Sequence, residues 1–252
     1  MGGPKVRRLG GQTVRRCAPW RSRAAILASA VALLTAYPAT RLSAQVGYPP
    51  DHSPYRDLKR GRTLILGAGY LSGGRGVIGV GPSDGRMASA RFEVPLGKSL
   101  GAFLGAAYGK MSRFVADPTK DSAAHISGPV NTNVTILDGG FHVMLTGAKA
   151  WHTFAPYLGF SGGVMLATSP PADSSGYRFR FKGIFGPELG LRWYLARRLA
   201  VRADARVEFW RLTYPITYKQ PSPDGSRVLQ VGAADHEWTR HPWISVALGW
   251  TF

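Results

Sequence analysis

The sequence predicts an all-β fold, an eight-stranded antiparallel up-and-down transmembrane β-barrel over residues 61–252. Three observations carry this prediction: apolar and charged residues alternate, eight segments are long enough to cross a bilayer, and long connections alternate with short ones. A membrane strand needs about 9–11 residues, whereas strands of soluble proteins have about 5–6. Alternation alone also fits a soluble barrel with an apolar core, so the lengths of the segments and connections decide between the two.

The first 44 residues have the pattern of a cleaved secretory signal peptide. They contain eight basic residues and no acidic one, an apolar run at 24–36, and small residues before Gln45. Because the apolar run is short for a membrane anchor, we expect export and cleavage after Ala44. Cys17, the one cysteine, lies in this part, so the exported form has no disulfide. Residues 45–60 contain three prolines and are predicted to form an extended periplasmic N-terminal segment.

Eight segments are predicted as strands, and most are long enough to span a bilayer. The clearest is 199–212, whose odd-numbered residues from 199 to 209 are apolar. Between them stand Arg202, Asp204, Arg206 and Glu208, so one face of the strand is apolar and the other charged. The predicted strands are about 62–72, 86–95, 99–110, 133–146, 154–167, 178–194, 199–212 and 241–252.

The connections between these segments alternate in length. The long ones are 73–85, 111–132, 168–177 and 213–240, and the short ones are 96–98, 147–153 and 195–198. Barrels of the bacterial outer membrane show this pattern, because their long loops face the outside of the cell and their short turns face the periplasm. A soluble sandwich has no reason to produce it.

In such a barrel the apolar face of each strand meets lipid and the charged face lines the lumen. Eight strands leave an interior just wide enough for side chains to fill, so we expect the inward charges to pair as a structural network. A functional ion path or a binding cavity is the alternative. Three basic residues at the start of the sixth strand, Arg178, Arg180 and Lys182, are assigned to the same inward face. The predicted network itself comprises Arg91, Glu93, Asp138, His142, Glu188, Arg192, Arg202, Asp204, Arg206 and Glu208.

Aromatic residues near the strand ends are predicted to form girdles at the two membrane–water interfaces, where one edge of a ring is wet and the other apolar. The predicted periplasmic girdle comprises Trp151, Phe154, Trp193, Tyr194, Trp250 and Phe252. The predicted outer girdle comprises Tyr70, Tyr108, Tyr177, Tyr214 and Trp243.

The chain ends in an alternating apolar strand whose last residue is aromatic. Its apolar positions are Ile244, Val246, Leu248, Trp250 and Phe252. This strand resembles the terminal strand of outer-membrane β-barrel proteins, and the segment 155–163 resembles the Pro-Tyr-x-Gly segments of such barrels. By strand and loop count, residues 61–252 look like the small eight-stranded barrels, similar to the barrel domain of outer-membrane protein A. The resemblance implies an outer-membrane location and recognition of the last strand by the barrel-assembly machinery.

The leading functional hypothesis is a structural or surface-interaction barrel. The sequence shows no phosphate-binding loop, metal-spaced cluster or nucleophile elbow, so we expect no enzymatic activity, no metal and no cofactor. One alternative is a narrow, porin-like pore or carrier for small molecules. Another is a lipid-modifying barrel enzyme, for which the candidate residues are His125-Ile126-Ser127 and the pair of Asp138 with His142.

The charge of the chain after residue 44 is +10, from 24 basic and 14 acidic residues. These charges alternate along strands and form no patch, so we expect no nucleic acid as a partner. The expected partners are the lipid bilayer, the barrel-assembly machinery and lipopolysaccharide, and we expect a monomer. The basic residues predicted to contact lipopolysaccharide near the outer loops are Lys110, Arg113, Lys120, Arg178, Arg211 and Lys219.

Overall fold

The computed structural model describes residues 53–169, 173 and 175–252, and eight long antiparallel strands among them close into a barrel. The predicted signal peptide and residues 45–52 of the predicted N-terminal segment lie outside the described residues. The barrel consists of β2–β5 and β7–β10, so the predicted fold class is confirmed. The strands are β1 (Tyr55–Asp57), β2 (Thr63–Leu71), β3 (Ser83–Pro95), β4 (Leu100–Ala116), β5 (Ile126–Met144), β6 (Lys149–Trp151), β7 (Phe154–Ala167), β8 (Arg180–Tyr194), β9 (Leu199–Thr213) and β10 (His236–Thr251).

Hydrogen-bonded pairing continues around the whole cylinder. A path that starts at Gly249 on β10 and steps from each residue to its paired neighbour on the next strand passes once around the barrel. It arrives back on β10 at Thr239, so the strands are staggered by ten residues. A stagger of this kind tilts the strands by about 35–45° from the barrel axis and leaves no free strand edge. The backbone N–H and C=O groups of the spanning residues therefore find partners on neighbouring strands, which an apolar solvent requires.

Successive residues of each strand point alternately outward and inward. In β10, the even-numbered residues are exposed and the odd-numbered residues from Thr239 to Thr251 are buried. The exposed faces are apolar over the middle of the barrel, and Leu104 is 71 % exposed there. A continuous apolar wall of this kind is unfavourable in water and suits a bilayer.

The long connections lie at one end of the barrel and the short turns at the other. Several strands extend further into the long connections than the sequence indicates. The connection between β4 and β5 is reduced to 117–125, rather than 111–132, and β10 starts at His236. These extensions lie beyond the apolar wall, where strands pair through the backbone without the apolar alternation on which the prediction relied.

Two 3-10 helices, Ser122–Ala124 and Ile216–Lys219, lie in the long connections. No helix in the described part of the chain is both long enough and apolar enough to cross a membrane.

The start of β8 departs from the predicted alternation. Arg180 has a φ of 55°, in the left-handed region, and this conformation interrupts the period of two. Arg178 and Arg180 are therefore exposed, so their predicted inward placement is wrong, and the neighbouring Phe179 is buried. The regular alternation runs from Lys182 onward, with even-numbered residues on the inward face.

The N-terminal segment packs across the short-turn end of the barrel. β1 pairs with β6, and the backbone N–H of Leu58 donates to the carbonyl of Ala148 at 3.0 Å. The Leu58 side chain packs against a small apolar cluster just inside this end, formed by Met144, Ala150, Ala155 and Tyr157. The described part of the predicted extended segment is thus held by both backbone pairing and apolar contact.

Replacing Leu104 by Arg should destabilise the folded barrel in phospholipid vesicles by about 2–4 kcal/mol, because a cation would then lie in the middle of the lipid-facing wall. Leu96→Arg, in the turn between β3 and β4, is the matched control and should cost about 0–1 kcal/mol, since its side chain reaches water. Equilibrium urea titrations in vesicles measure both effects. Equal effects of the two substitutions would contradict a membrane-spanning orientation.

Candidate functional site in the barrel lumen

The ten side chains predicted to form a charge network lie together in the part of the lumen nearer the short turns. Each is more than nine-tenths buried, and they come from four strands, β3, β5, β8 and β9. Four arginines face five carboxylates, with His142 beside them. The charges are therefore nearly balanced within the group, which a buried set requires because an unpaired buried charge costs several kcal/mol.

Two ion pairs cross the lumen from β3 to β8, which stand on opposite sides of the barrel. Arg91 contacts both carboxylate oxygens of Glu188 at 2.8 Å, and Arg192 Nη2 lies 2.6 Å from Glu93 Oε2. The first pair is bidentate, so it fixes geometry as well as charge. Nε2 of His142 lies 3.2 Å from Arg192 Nη2, which places this ring at the edge of the network. The two pairs tie facing walls of the barrel together through its interior.

Arg202 is the centre of the network, because its guanidinium contacts three carboxylates. Nη2 lies 2.6 Å from Glu188 Oε1, Nε lies 2.7 Å from Asp204 Oδ1, and Nη1 binds Glu93 Oε1. The hydroxyl of Tyr157 donates to the same oxygen of Asp204. Every nitrogen of the Arg202 guanidinium thus has a carboxylate partner, and removal of this side chain would leave three carboxylates short of a cation.

Arg206 extends the network toward the long-loop end. Its Nη1 lies 2.7 Å from Asp138 Oδ2 and 3.4 Å from Glu208 Oε1. The guanidinium also lies over the ring of Trp243, 3.8 Å from the ring centre, and this cation–π contact adds to its stabilisation. The open space around Arg206 and Asp138 is about 10 Å³, which holds no more than one water molecule. A second space of about 80 Å³ lies at the short-turn mouth beside Glu93, His142 and Arg192. Side chains therefore fill the middle of the charged part of the lumen.

Above Arg206 the lumen is filled by apolar side chains, which the sequence analysis did not predict. Trp210 is fully buried, and the ring of His241 stacks on it with 3.3 Å between ring centres. Trp210 and Leu212 follow Glu208 at inward positions of β9. The period of two therefore places these two residues in the lumen, although neither is charged. The cluster also includes Leu71, Met87, Met111, Val134, Ile136, Met165, Ile184, Tyr214, Tyr218 and Trp243.

Part of the predicted outer aromatic girdle lies inside the barrel instead. Tyr177, Tyr214 and Trp243 are at most 5 % exposed and belong to the apolar cluster, so their assignment to the membrane interface is wrong. The position of a residue along its strand predicts its depth in the membrane but not the side of the barrel wall that it faces. Trp243 stands at an inward position of β10. Tyr70 and Tyr108 do point outward and are 50 % and 53 % exposed.

The long loops add polar contacts above this cluster. The guanidinium of Arg113 pairs with the carboxylate of Asp173, and both side chains are 1 % exposed. Arg113 is therefore not available to lipopolysaccharide, contrary to its prediction as a surface contact. Burial opposes ionisation of Asp173, but hydrogen bonds from Ser175 and from Arg113 outweigh it and hold the pKa of this carboxyl below its ordinary value. Burial also raises the pKa of Tyr218, in the same loop region, to about 12.

The first pair of candidate catalytic residues, His125 and Ser127, is not arranged for nucleophilic catalysis. Nε2 of His125 lies 2.7 Å from Oγ of Ser222, and not of Ser127, in the long-loop region. The Ser222 hydroxyl donates to the carbonyl of Pro118 at 2.7 Å, so it does not give its proton to the histidine. A serine nucleophile needs its base as the proton acceptor, and this geometry does not supply it.

The second pair of candidate catalytic residues, Asp138 and His142, do not contact each other in this structure. Both face the lumen from β5, but four residues along a strand separate them by roughly 13 Å. Asp138 binds Arg206, whereas His142 lies against Arg192. Each side chain is thus accounted for by a neighbouring arginine of the charge network.

The five residues predicted as the assembly signal at the end of the chain all point outward. Their exposed fractions lie between 51 % and 68 %, and β10 pairs with β2 on one side and β9 on the other. This placement leaves the outward face of β10 to lipid, and the role of the strand in assembly stays a prediction. The residues concerned are Ile244, Val246, Leu248, Trp250 and Phe252.

No protein family and no curated protein matches this sequence. Among solved structures, Neisserial surface protein A superposes with a TM-score of 0.49 and 10 % identity, over 76 % of this chain and 97 % of that one. The outer-membrane protein OprG from Pseudomonas aeruginosa gives a TM-score of 0.48 and 13 % identity, over 78 % and 98 % of the two chains. Both are small outer-membrane β-barrels.

Ail, the attachment invasion locus protein of Yersinia pestis, was solved in complex with the heparin analogue sucrose octasulfate. It gives a TM-score of 0.38 and 11 % identity, over 77 % of this chain and 100 % of that one. Likeness at this level concerns the fold alone, so the function has to be argued from the residues of this chain.

Replacing Arg202 by Met should destabilise the barrel by about 3–5 kcal/mol, because Glu93, Glu188 and Asp204 would stay buried with one cation fewer. Adding Asp204→Asn should recover part of that loss, since it removes one of the stranded charges. Arg211→Met, at an exposed position of the same strand, is the control and should change stability by less than about 1 kcal/mol. Urea titration in vesicles measures all three, and a loss no larger than that of the control would refute the central role of Arg202.

Proposed function

We propose that the exported chain is an outer-membrane β-barrel with a closed interior and a non-enzymatic structural or surface-interaction role. The observation that carries this proposal is the filled lumen, with a charge network in one part and apolar side chains in the other. A pore or carrier needs a continuous path, and the space of about 80 Å³ at the short-turn mouth narrows to about 10 Å³ around Arg206. The surfaces left for interaction are the lipid-facing wall and the outer loops.

The outer wall supports the proposed membrane location. Its middle is apolar, and exposed aromatic rings stand toward both ends, with Tyr70 and Tyr108 near the loops and Trp193 and Trp250 near the turns. Rings of this kind prefer the two interfaces of a bilayer. The predicted signal peptide and the outward apolar face of β10 fit export followed by insertion through the barrel-assembly machinery.

The outer loops support a surface-interaction role. Tyr177 and Tyr218 of these loops belong to the apolar cluster, and their rings stack at 6.2 Å between centres, so these two positions are fixed against the barrel. Val77, Ile216 and Val231 remain 83 %, 78 % and 64 % exposed at this end. Exposed apolar side chains on an ordered loop surface are the usual anchors of a protein contact.

Lipopolysaccharide is the proposed partner of the wall just below the loops. Arg86 and Lys110 face each other across β3 and β4, and both are exposed. Arg211 and Arg240 are exposed at comparable positions of β9 and β10. Four cations next to the end of the apolar wall match the phosphate groups of an outer leaflet made of lipopolysaccharide.

Combined replacement of Arg86, Lys110 and Arg240 by Gln should weaken binding of purified lipopolysaccharide, since each cation near an anionic leaflet contributes about 1 kcal/mol. Binding is measured on the refolded protein by isothermal titration at low and at moderate ionic strength. Unchanged affinity of this triple variant at low ionic strength would refute the proposed contact.

Purified protein should show no sustained channels in planar-bilayer recordings, because the side chains of the described residues fill the proposed lumen. Heat-modifiable gel migration of the same sample, together with recovery of the native protein in the outer-membrane fraction, establishes that the tested barrel is folded and correctly located. Sustained large conductance from such a sample would overturn the closed-lumen proposal and favour the pore alternative.

A further inference from the structure

The short-turn end of the barrel carries an excess of basic side chains over acidic ones. Within the described part of the chain, Asp57 is the one acidic side chain at this end apart from Glu93 of the charge network. Eight basic side chains are exposed there, and none of them takes part in an ion pair among the described residues. They are Arg56, Lys59, Arg60, Arg62, Lys98, Lys149, Arg197 and Arg198.

These cations surround the mouth of the barrel at the edge of the apolar wall. Lys98 lies in the turn between β3 and β4, and Arg197 and Arg198 lie in the turn between β8 and β9. Trp193 and Trp250 are 46 % and 51 % exposed at the adjoining strand ends. Because tryptophan rings favour the interface between hydrocarbon and water, the cations beyond them stand at the depth of lipid headgroups.

Three of the cations line a groove between the N-terminal segment and the turn after β8. The groove has a volume of about 840 Å³, and Arg56, Lys59 and Arg197 reach it from its two sides. Its remaining lining is mixed, with the hydroxyl-bearing residues Thr153 and Tyr194, the carboxylate residue Asp57 and the apolar residues Leu58, Ala150, Leu195 and Ala196. A site of this composition fits a ligand with one anionic, one hydroxylated and one apolar part.

We propose that this groove binds the phosphate-bearing headgroup of an anionic phospholipid in the periplasmic leaflet. Guanidinium and ammonium groups bind phosphate oxygens well, and three residues that carry them line this groove beside a single carboxylate, that of Asp57. The apolar stem of the lipid lies along Leu195, which is 48 % exposed beside the lipid-facing wall. This inference rests on the proposed outer-membrane location of the barrel.

The mixed walls of the groove favour a lipid over a free phosphate. Inorganic phosphate would use the three cations but would leave Leu195, which is 48 % exposed, facing water. A phospholipid meets both kinds of surface, and the bilayer holds it at high local concentration next to the groove. Each cation near an anionic leaflet strengthens association by roughly fivefold at low ionic strength.

The test compares phospholipid retention by the full chain refolded in detergent, measured by native mass spectrometry with added phosphatidylglycerol or phosphatidylcholine. The groove variant combines Arg56→Gln, Lys59→Gln and Arg197→Gln. The matched control combines Lys98→Gln, Lys149→Gln and Arg198→Gln, which removes the same charge from the same end of the barrel but from residues that do not line the groove. Heat-modifiable migration shows that each variant has folded.

Wild-type protein and the control variant should retain phosphatidylglycerol in preference to phosphatidylcholine, and the groove variant should bind it roughly a hundredfold more weakly if the three cations act independently. Excess inorganic phosphate should not displace the bound lipid. Equal retention of the two lipids by the wild type, or unchanged affinity of the groove variant, would overturn the inference. Displacement by inorganic phosphate at matched concentration would show a plain phosphate site instead.

The outcome is separable from the proposed function. Absence of the protein from the outer-membrane fraction would refute the proposed location, whereas lipid retention in detergent reports on the groove alone. A barrel that reaches the outer membrane but shows no preference for phosphatidylglycerol would retain its proposed role and lose this site.

Discussion

The closure of eight strands with a stagger of ten residues is the constraint on which the rest of this structure depends. It satisfies the backbone hydrogen bonds of a membrane-spanning chain and at the same time fixes a narrow interior. Facing walls come close enough for one ion pair to join them, as Arg91 and Glu188 do. The interior must then be filled by side chains whose charges compensate one another, because little water can enter to solvate them.

The lumen meets this requirement in two different ways along its length. Near the short turns, arginines and carboxylates pair around Arg202, and near the long loops apolar side chains pack around Trp210. Arg206 joins the two parts, since its guanidinium binds Asp138 on one side and lies over Trp243. The interior thus resembles a folded core in which a polar and an apolar part meet at a cation–π contact.

The sequence predicts which residues face inward, because the alternation of a strand requires only a local pattern. It predicts much less about the partners of those residues. Arg202 and Asp204 stand on one strand and their contact follows from local spacing, but Arg91 and Glu188 are 97 residues apart. Their meeting depends on the stagger of all eight strands, which no local pattern encodes. Charge alone also does not identify Trp210 and Leu212 as lumen residues, although they continue the inward positions of β9.

Local backbone conformation set another limit on prediction. A regular alternation of inward and outward side chains from 178 to 194 would place Arg178 inward. The left-handed conformation of Arg180 interrupts this alternation, so Arg178 is exposed and Phe179 is buried. Such a conformation is uncommon for an arginine, and it accompanies the packing of Phe179 into the apolar cluster. The packing of loop residues such as Tyr177 and Tyr218 into the apolar cluster also depends on tertiary contacts. A local sequence pattern therefore does not predict it.

The closure of the lumen is tested most directly by thiol accessibility, because Cys17 is the only cysteine of the chain. In a Cys17→Ser background, Ser161→Cys places a thiol at a lumen position that is 1 % exposed, and Ser122→Cys places one at an exposed position of the outer loops. A small charged thiol reagent should modify the Ser122→Cys protein readily and the Ser161→Cys protein only after unfolding in urea. Modification of the two folded proteins at similar rates would contradict a closed lumen.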